Sequence, residues 1–290
     1  MKLHLVDGTY ELFRSHYGAP SSINRVGQEV GATRGLLRTL LGLIRDENAT
    51  HIGVAFDHVI ESFRNQLFAG YKTGEGVDPA LMAQFPLAER ATHALGIVVW
   101  PMIDFEADDA IATAAAQWED HPDIAQVVIC SPDKDMAQCV RGDRVVMLDR
   151  RRRILLDEGG VREKFGVAPA SIPDYLALVG DAADGIPGIP RWGPKTAGIL
   201  LSRFGSIEAI PRDPHFWGVE IRGRDVLAES LNTRRADAEL YRTLAVLRRD
   251  VPLTETLEDL EWKGVRREEM TTLCGELGES ELLERISRWR

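Results

Sequence analysis

The chain has 290 residues, of which 44% are hydrophobic and 28% charged, enough apolar content for a substantial core and too much for a disordered chain. No stretch approaches the roughly 18 uninterrupted apolar residues of a membrane span, and the first residues carry neither a long apolar run nor a small-residue cleavage site. A formal net charge of −10 argues at first against a nucleic-acid partner, but much of the acid falls in short dense clusters that point to bound cations, so the sign decides nothing.

In chain order, short apolar runs alternate with helical patterns through the first half, the signature of an α/β fold with a mainly parallel sheet and crossover helices. Strands are expected at Leu3–Val6, Ile52–Phe56, Ile97–Trp100, Val127–Cys130 and Val145–Leu148, and helices at Arg34–Arg45 and Ala107–Trp118. In the second helix Ala107, Ala110, Ile111, Ala114, Ala115 and Trp118 recur on one face, a narrow apolar stripe suited to lie close against a sheet. From about Ser171 onward helical patterns replace strands: Ile172–Val179, then Pro194–Phe204 with Pro194 in its first turn and Gly205 at its end, then charged helices around Asp225–Arg249 and near the C-terminus. A lobe boundary is expected near residue 168, at the Gly166–Pro169 break, separating residues 1–168 from 169–290.

Nine acids carry the functional argument: Asp7, Asp57, Glu106, Asp108, Asp109, Asp133, Asp135, Asp181 and Asp184. Asp7 and Asp57 directly follow the first two strands, Asp133 and Asp135 follow Val127–Cys130, and Glu106, Asp108 and Asp109 open the helix after Ile97–Trp100. The ends of parallel strands share one edge, where open α/β sheets place their sites. Singly, each acid reads as a turn, a cap or a residue suited to a helix dipole, with Lys134 exposed between its neighbours. Jointly those readings fail, because two like charges ~4 Å apart repel by roughly 4 kcal/mol at an effective dielectric near ~20, more than a cap returns at about 1 kcal/mol. A cation must fill the cluster. With no histidine or cysteine among the ligands, all-oxygen coordination selects Mg²⁺ or Mn²⁺, and the number of carboxylates suggests two ions, as in metal-assisted phosphodiester hydrolysis.

The residues then match a known family. Leu-Val-Asp-Gly at 5–8, Ala-Phe-Asp at 55–57, Phe-Arg at 63–64, Tyr-Lys at 71–72 and Glu-Ala-Asp-Asp at 106–109 stand in the family's order. Ser-Pro-Asp-Lys-Asp-Met-Ala-Gln at 131–138, Gly-Asp-Ala-Ala-Asp-Gly-Ile-Pro-Gly-Ile-Pro at 180–190 and Gly-Pro-Lys-Thr-Ala at 193–197 follow. Over nearly its whole length the chain resembles the flap endonucleases and 5′→3′ exonucleases, including the 5′-nuclease domain of bacterial DNA polymerase I and free-standing phage and bacterial 5′ nucleases.

That resemblance implies a PIN-like nuclease core with an arch over about 63–95, followed by a helical lobe containing a helix–three-turn–helix. It places the metal ligands on all nine acids, with Asp181 and Asp184 joining from the helical lobe. It gives Lys72 a contact to the scissile phosphate and Tyr71 a stacking contact to a base, with Arg64 a catalytic residue beside them; taken alone, Tyr71 reads equally as a packing residue and Arg64 as a partner of Glu61. Gly188, Arg191, Gly193, Lys195 and Thr196 become duplex-DNA contacts of the hairpin, where a helix N-terminus offers N–H donors to an anion and K⁺ is a further expected ion. The implied substrate is DNA with a 5′ flap, fork or frayed 5′ end, cut to leave a 5′-phosphate and a 3′-hydroxyl. A cytoplasmic monomer, working beside a separate DNA polymerase, is expected.

Two departures from the family pattern stand out. Thr73-Gly74-Glu75 follows Tyr-Lys where a second basic residue is usual, and Pro190-Arg191-Trp192-Gly193 replaces the usual Pro-Gly-Ile-Gly. Arg150–Arg153, four arginines between apolar stretches, read as a hairpin tip, either solvated or touching DNA phosphates. Trp100 and Trp118 are expected in the core and Trp192 beside the functional loop. Two other functions fit parts of the pattern: a DNA-junction binding module with a vestigial metal site, and a PIN-like ribonuclease.

Overall fold

Asp7 and Asp57 each end a strand whose apolar run precedes them, and both carboxylates stay buried at the strand's end. The computed structural model describes residues 1–47 and 49–290. They form two compact units: residues 1–62, 74–131 and 249–290 in the first, and 63–73 and 132–248 in the second.

The first unit holds β1 (Lys2–Asp7), β2 (His51–Asp57), β3 (Val98–Met102) and β4 (Gln126–Cys130), in the order β3-β2-β1-β4 and all parallel. β2 is buried along its whole length, as expected of a strand covered on both faces. Its neighbours are in register, with Val6 opposite Val54 and Cys130, and Asp57 opposite Met102. The Ala107–Trp118 helix packs on β1, β2, β3 and β4 through its alanine stripe, which lets the backbones approach.

The C-terminal residues 249–290 belong to this first unit. Trp262 N–H donates to Thr50 O at 2.7 Å, Arg266 N–H to Ala94 O at 3.0 Å and Val251 N–H to Thr113 Oγ1 at 3.2 Å. The division at residue 168 expected from the sequence assigned this segment to the helical lobe. Its hydrogen bonds, made to residues more than a hundred positions earlier, return it to the sheet unit instead.

The second unit holds the antiparallel pair β5 (Val145–Asp149) and β6 (Ile154–Leu156), with Arg150–Arg153 at the turn. All four arginines are on the surface, and Asp149 Oδ1 accepts the Arg152 N–H at 2.9 Å to close the turn. Helices Glu158–Phe165, Ile172–Val179, Pro194–Phe204, Arg224–Thr233 and Arg235–Ala245 complete it. Asp174, almost fully buried, ties its helix to Arg235–Ala245 and to the turn after Pro194–Phe204 by accepting from Arg242 Nε at 3.1 Å and Ile207 N–H at 2.8 Å. Trp192, beside the expected functional loop, is buried: its Nε1 donates to Leu227 O at 3.2 Å and its ring meets Trp217 edge-on at 6.2 Å.

Within the stretch 63–95, where an arch is expected, the C-terminal part is helical. Residues Phe85–Ala94 form a helix with Phe85, Leu87, Ala88 and Ala91 buried, because their spacing repeats every three or four positions. All three cysteines are buried and free.

Candidate metal centre

In the first unit each candidate acid is held by a local donor. Asp7 caps the Gly8–Gly18 helix, its Oδ1 accepting from Tyr10 N–H at 2.8 Å, while Oδ2 accepts from Ser131 Oγ at 3.0 Å. Asp57 Oδ1 accepts from Ala107 N–H at 2.7 Å, and the Asp57 N–H donates to Thr9 Oγ1 at 2.8 Å. Glu106 Oε1 accepts from Ser62 Oγ at 2.6 Å, and Glu106 N–H donates to Asp109 Oδ2 at 3.1 Å in a capping box. Asp7, Asp57, Glu106 and Asp109 are all buried, and Asp108 is half-buried in the same first turn. The capping and the ligand readings of these residues are therefore compatible: the hydrogen bonds fix the carboxylates and reduce the cost of burying them.

The second unit contributes Asp133, Asp135, Asp181 and Asp184. Among the described residues, Asp135, Asp181 and Asp184 bring one carboxylate oxygen each within 4.8 Å of one another. Asp135 is 4% exposed and its Oδ1 has no hydrogen-bond partner. Burial, and then the charges of Asp133, Asp184 and Asp181, hold its carboxyl well above the usual carboxylate range, with Lys72 acting in the opposite direction. A buried, orphaned oxygen inside a trio of acids is what a hard divalent cation relieves, so the residues present fit Mg²⁺ or Mn²⁺. Asp133 is exposed, and its Oδ1 accepts from Asp135 N–H at 3.2 Å, fixing the turn between them.

Two lysines reach this trio. Lys72 Nζ lies 3.2 Å from Asp184 Oδ1, and Lys134 Nζ lies 2.8 Å from Asp181 Oδ1. Lys134, expected simply as exposed, was missed as a site residue; its signal in the sequence is its place between Asp133 and Asp135. Burial works to lower its ammonium pKa, but the hydrogen bond and charge of Asp181, with Asp135 and Asp133, raise it overall.

The expected contact residues divide. Lys72 reaches the acids, whereas Arg64 and Tyr71 are only 1% and 4% exposed. Arg64 does not pair with Glu61: its Nε donates to Leu244 O at 2.8 Å and another guanidinium nitrogen to Val246 O at 3.0 Å, satisfying carbonyls at a helix end. Both side chains are thus buried, and Arg64 is tied to the end of the Arg235–Ala245 helix. Glu75, the acidic departure, is exposed.

The hairpin between the two helices is shaped by close backbone approaches. Asp181 and Ile186 exchange both N–H···O bonds at 2.8 Å, and Ile189 N–H donates to Leu178 O at 2.8 Å. A Cβ at Gly188 would meet Gly180 N at 2.6 Å, so only glycine fits there. Arg191 adopts φ 73°, the left-handed region, at the position where the family usually has glycine. Arg191 and Lys195 are exposed, Gly193 and Thr196 half-buried, and Gly188 buried, so the first two are the charged groups this hairpin offers outward. The second unit carries 21 of the 35 Lys and Arg residues but 17 of the 45 acids, so the negative total arises in the first unit.

The comparisons agree with this geometry. Residues 2–166 match the family described as 5′-3′ exonuclease, N-terminal resolvase-like domain, and residues 167–268 match 5′-3′ exonuclease, C-terminal SAM fold. DNA polymerase I of Bacillus caldotenax is 35% identical over 291 residues, covering 98% of this chain and 32% of that protein. The chain thus spans about a third of the length of the curated relatives it matches. Among solved structures, the T5 5′-exonuclease with bound divalent metal ions superposes with a TM-score of 0.69 at 18% identity, covering 98% of this chain and 99% of that one. The bacteriophage T5 flap endonuclease in a pseudo-enzyme-product complex with DNA and metal ions gives a TM-score of 0.65 at 18% identity, covering 98% and 96%. With two consecutive family domains matched from residue 2 to residue 268, the chain belongs to the 5′-3′ exonuclease family.

Proposed function

We propose that the protein is a divalent-metal-dependent 5′ nuclease that hydrolyses DNA near single-strand/duplex junctions, as flap endonuclease and 5′→3′ exonuclease. The observation that carries this reading is the trio of buried Asp135 and Asp181 and half-buried Asp184, with the orphaned Asp135 oxygen and Lys72 beside it. The ligands proposed for the metal, following the family resemblance, are Asp7, Asp57, Glu106, Asp108, Asp109, Asp133, Asp135, Asp181 and Asp184.

Two Mg²⁺ or Mn²⁺ ions, when bound, supply the charge that lowers the pKa of a water and neutralises the leaving oxygen. The reaction forms one phosphorus–oxygen bond from that water and breaks the bond to the 3′ oxygen, which takes up a proton, leaving a 5′-phosphate and a 3′-hydroxyl. Lys72, held beside the acids, adds positive charge where the phosphate becomes more negative. The hairpin residues Gly188, Arg191, Gly193, Lys195 and Thr196 hold the duplex by its phosphates, and K⁺ at the hairpin turns rests on the family resemblance. A separate DNA polymerase as partner rests on the family resemblance.

The test is a 5′-labelled DNA flap incubated with Mg²⁺, Mn²⁺ or EDTA and resolved on a denaturing gel. Metal-dependent release of the intact flap supports the endonuclease, and mononucleotides alone support the exonuclease. A gel shift without any product leaves a junction-binding module, and preference for an RNA 5′ arm leaves a ribonuclease.

A further inference from the structure

The acid trio Asp135, Asp181 and Asp184 is met by two ammonium groups that are held differently. Lys72 is fixed twice to Asp184, by its Nζ at 3.2 Å and by its backbone N–H to the Asp184 carbonyl at 3.0 Å. Lys134 reaches Asp181 through its side chain at 2.8 Å, from a position 36% exposed, while the Asp181 side chain is 2% exposed. Asp135 Oδ1 is left without a hydrogen bond.

With the four acids of this cluster ionised, Asp133, Asp135, Asp181 and Asp184 together with Lys72 and Lys134 carry two net negative charges. One divalent cation neutralises that remainder. A second ion sharing these carboxylates meets an uncompensated ammonium unless one lysine withdraws, and Lys134 is the more exposed and less tethered of the two.

We propose that Lys134 is a counter-ion built into the metal centre. It is a positioning residue that holds Asp181 in the metal-free protein and weakens divalent binding until it is displaced. This rests on the metal-centre reading given above. A cation already seated on a ligand oxygen competes directly with an incoming one, and both charges act in a poorly solvated site where their repulsion is large.

The test is Mn²⁺ binding to the whole chain without DNA, by calorimetry and by the Mn²⁺ paramagnetic resonance signal. Lys134→Met is expected to bind Mn²⁺ about tenfold more tightly than the wild type, with Lys134→Arg close to the wild type. In EDTA, Lys134→Met is expected to unfold at a lower temperature, with a larger upward shift than the wild type when Mn²⁺ is added. If Lys134→Met does not fold, Lys134→Gln, neutral but able to hydrogen-bond Asp181, should show the same tightening. Unchanged or weaker affinity in the neutral variants, with equal loss of thermal stability with and without Mn²⁺, overturns the proposal and leaves Lys134 a structural residue. Absence of Mn²⁺ binding by the wild type overturns the metal-centre reading as well.

Discussion

Lys72 and Asp184 are joined through both backbone and side chain: the Lys72 N–H donates to the Asp184 carbonyl at 3.0 Å, and Lys72 Nζ lies 3.2 Å from Asp184 Oδ1. The first bond sets where the lysine starts and the second where it ends, so the ammonium is pre-positioned beside the acids. Asn65 Nδ2 adds a third restraint on the same residue by donating to Lys72 O at 2.9 Å.

This placement depends on the glycine after Asp184. A Cβ at Gly185 would stand 2.1 Å from the Gly70 carbonyl oxygen, and the residue's φ of 73° is itself unfavourable for other residues. Gly185→Ala is expected to push the 70–72 backbone away, with a stability loss on the order of 2 kcal/mol and a kcat reduced about a hundredfold. Chemical denaturation and single-turnover cleavage check it; near-normal values for both would show that Lys72 does not depend on this approach.

The pH dependence of stability should change sign with metal. Burial and the neighbouring acids raise the Asp135 pKa in the metal-free protein. Its stabilising contribution is then complete below the unfolded value of about 3.9 and is lost as pH rises through the folded value. In EDTA, wild type should lose stability relative to Asp135→Asn as pH rises above about 4. With saturating Mg²⁺ the order should reverse, since the ion binds the ionised carboxylate. Urea titrations of both proteins across pH test this, and a difference independent of pH in EDTA would contradict it.

Arg191 offers a trade between stability and affinity. A left-handed non-glycine residue costs about 1–2 kcal/mol, of which glycine's greater unfolded-state freedom returns roughly 0.5–1. Arg191→Gly should therefore stabilise the fold by up to about 1 kcal/mol. If the guanidinium contacts a phosphate, the same change should reduce the slope of log affinity against log salt by about 0.9. Thermal unfolding and duplex binding at several salt concentrations measure the two effects separately.

The cysteines should be inert while the protein is folded. All three are buried, and burial, then the negative charge of Glu279, pushes the Cys274 thiol up to about 11. At pH 8 a colorimetric disulfide reagent should label none of them in the native chain and all three after denaturation. Rapid labelling of native Cys274 would show that its helix opens readily.

Local pattern was enough for much of the fold. The helices Ala107–Trp118, Ile172–Val179 and Pro194–Phe204 run between the residues that their periodicity, prolines and glycine cap indicate. The strands before Asp7 and Asp57 and the arginine-tipped hairpin likewise follow from short-range alternation and turn chemistry. These features depend on neighbours a few positions apart, which a single sequence displays directly.

Other features depended on partners far along the chain. Arg64 reads in the sequence as a site residue, yet it donates to Leu244 O, 180 positions away, and is buried there. Lys134 looks like a solvated lysine until Asp181 is brought to 2.8 Å. The last forty or so residues resemble the helices before them, and only their hydrogen bonds to Thr50, Ala94 and Thr113 return them to the sheet unit. The sequence by itself determined the residue types, the local elements and the family of this protein; the tertiary structure alone decided which charged side chains reach the acids and which are spent on the core, because a charge goes to whichever partner the packed chain brings within a hydrogen bond's length.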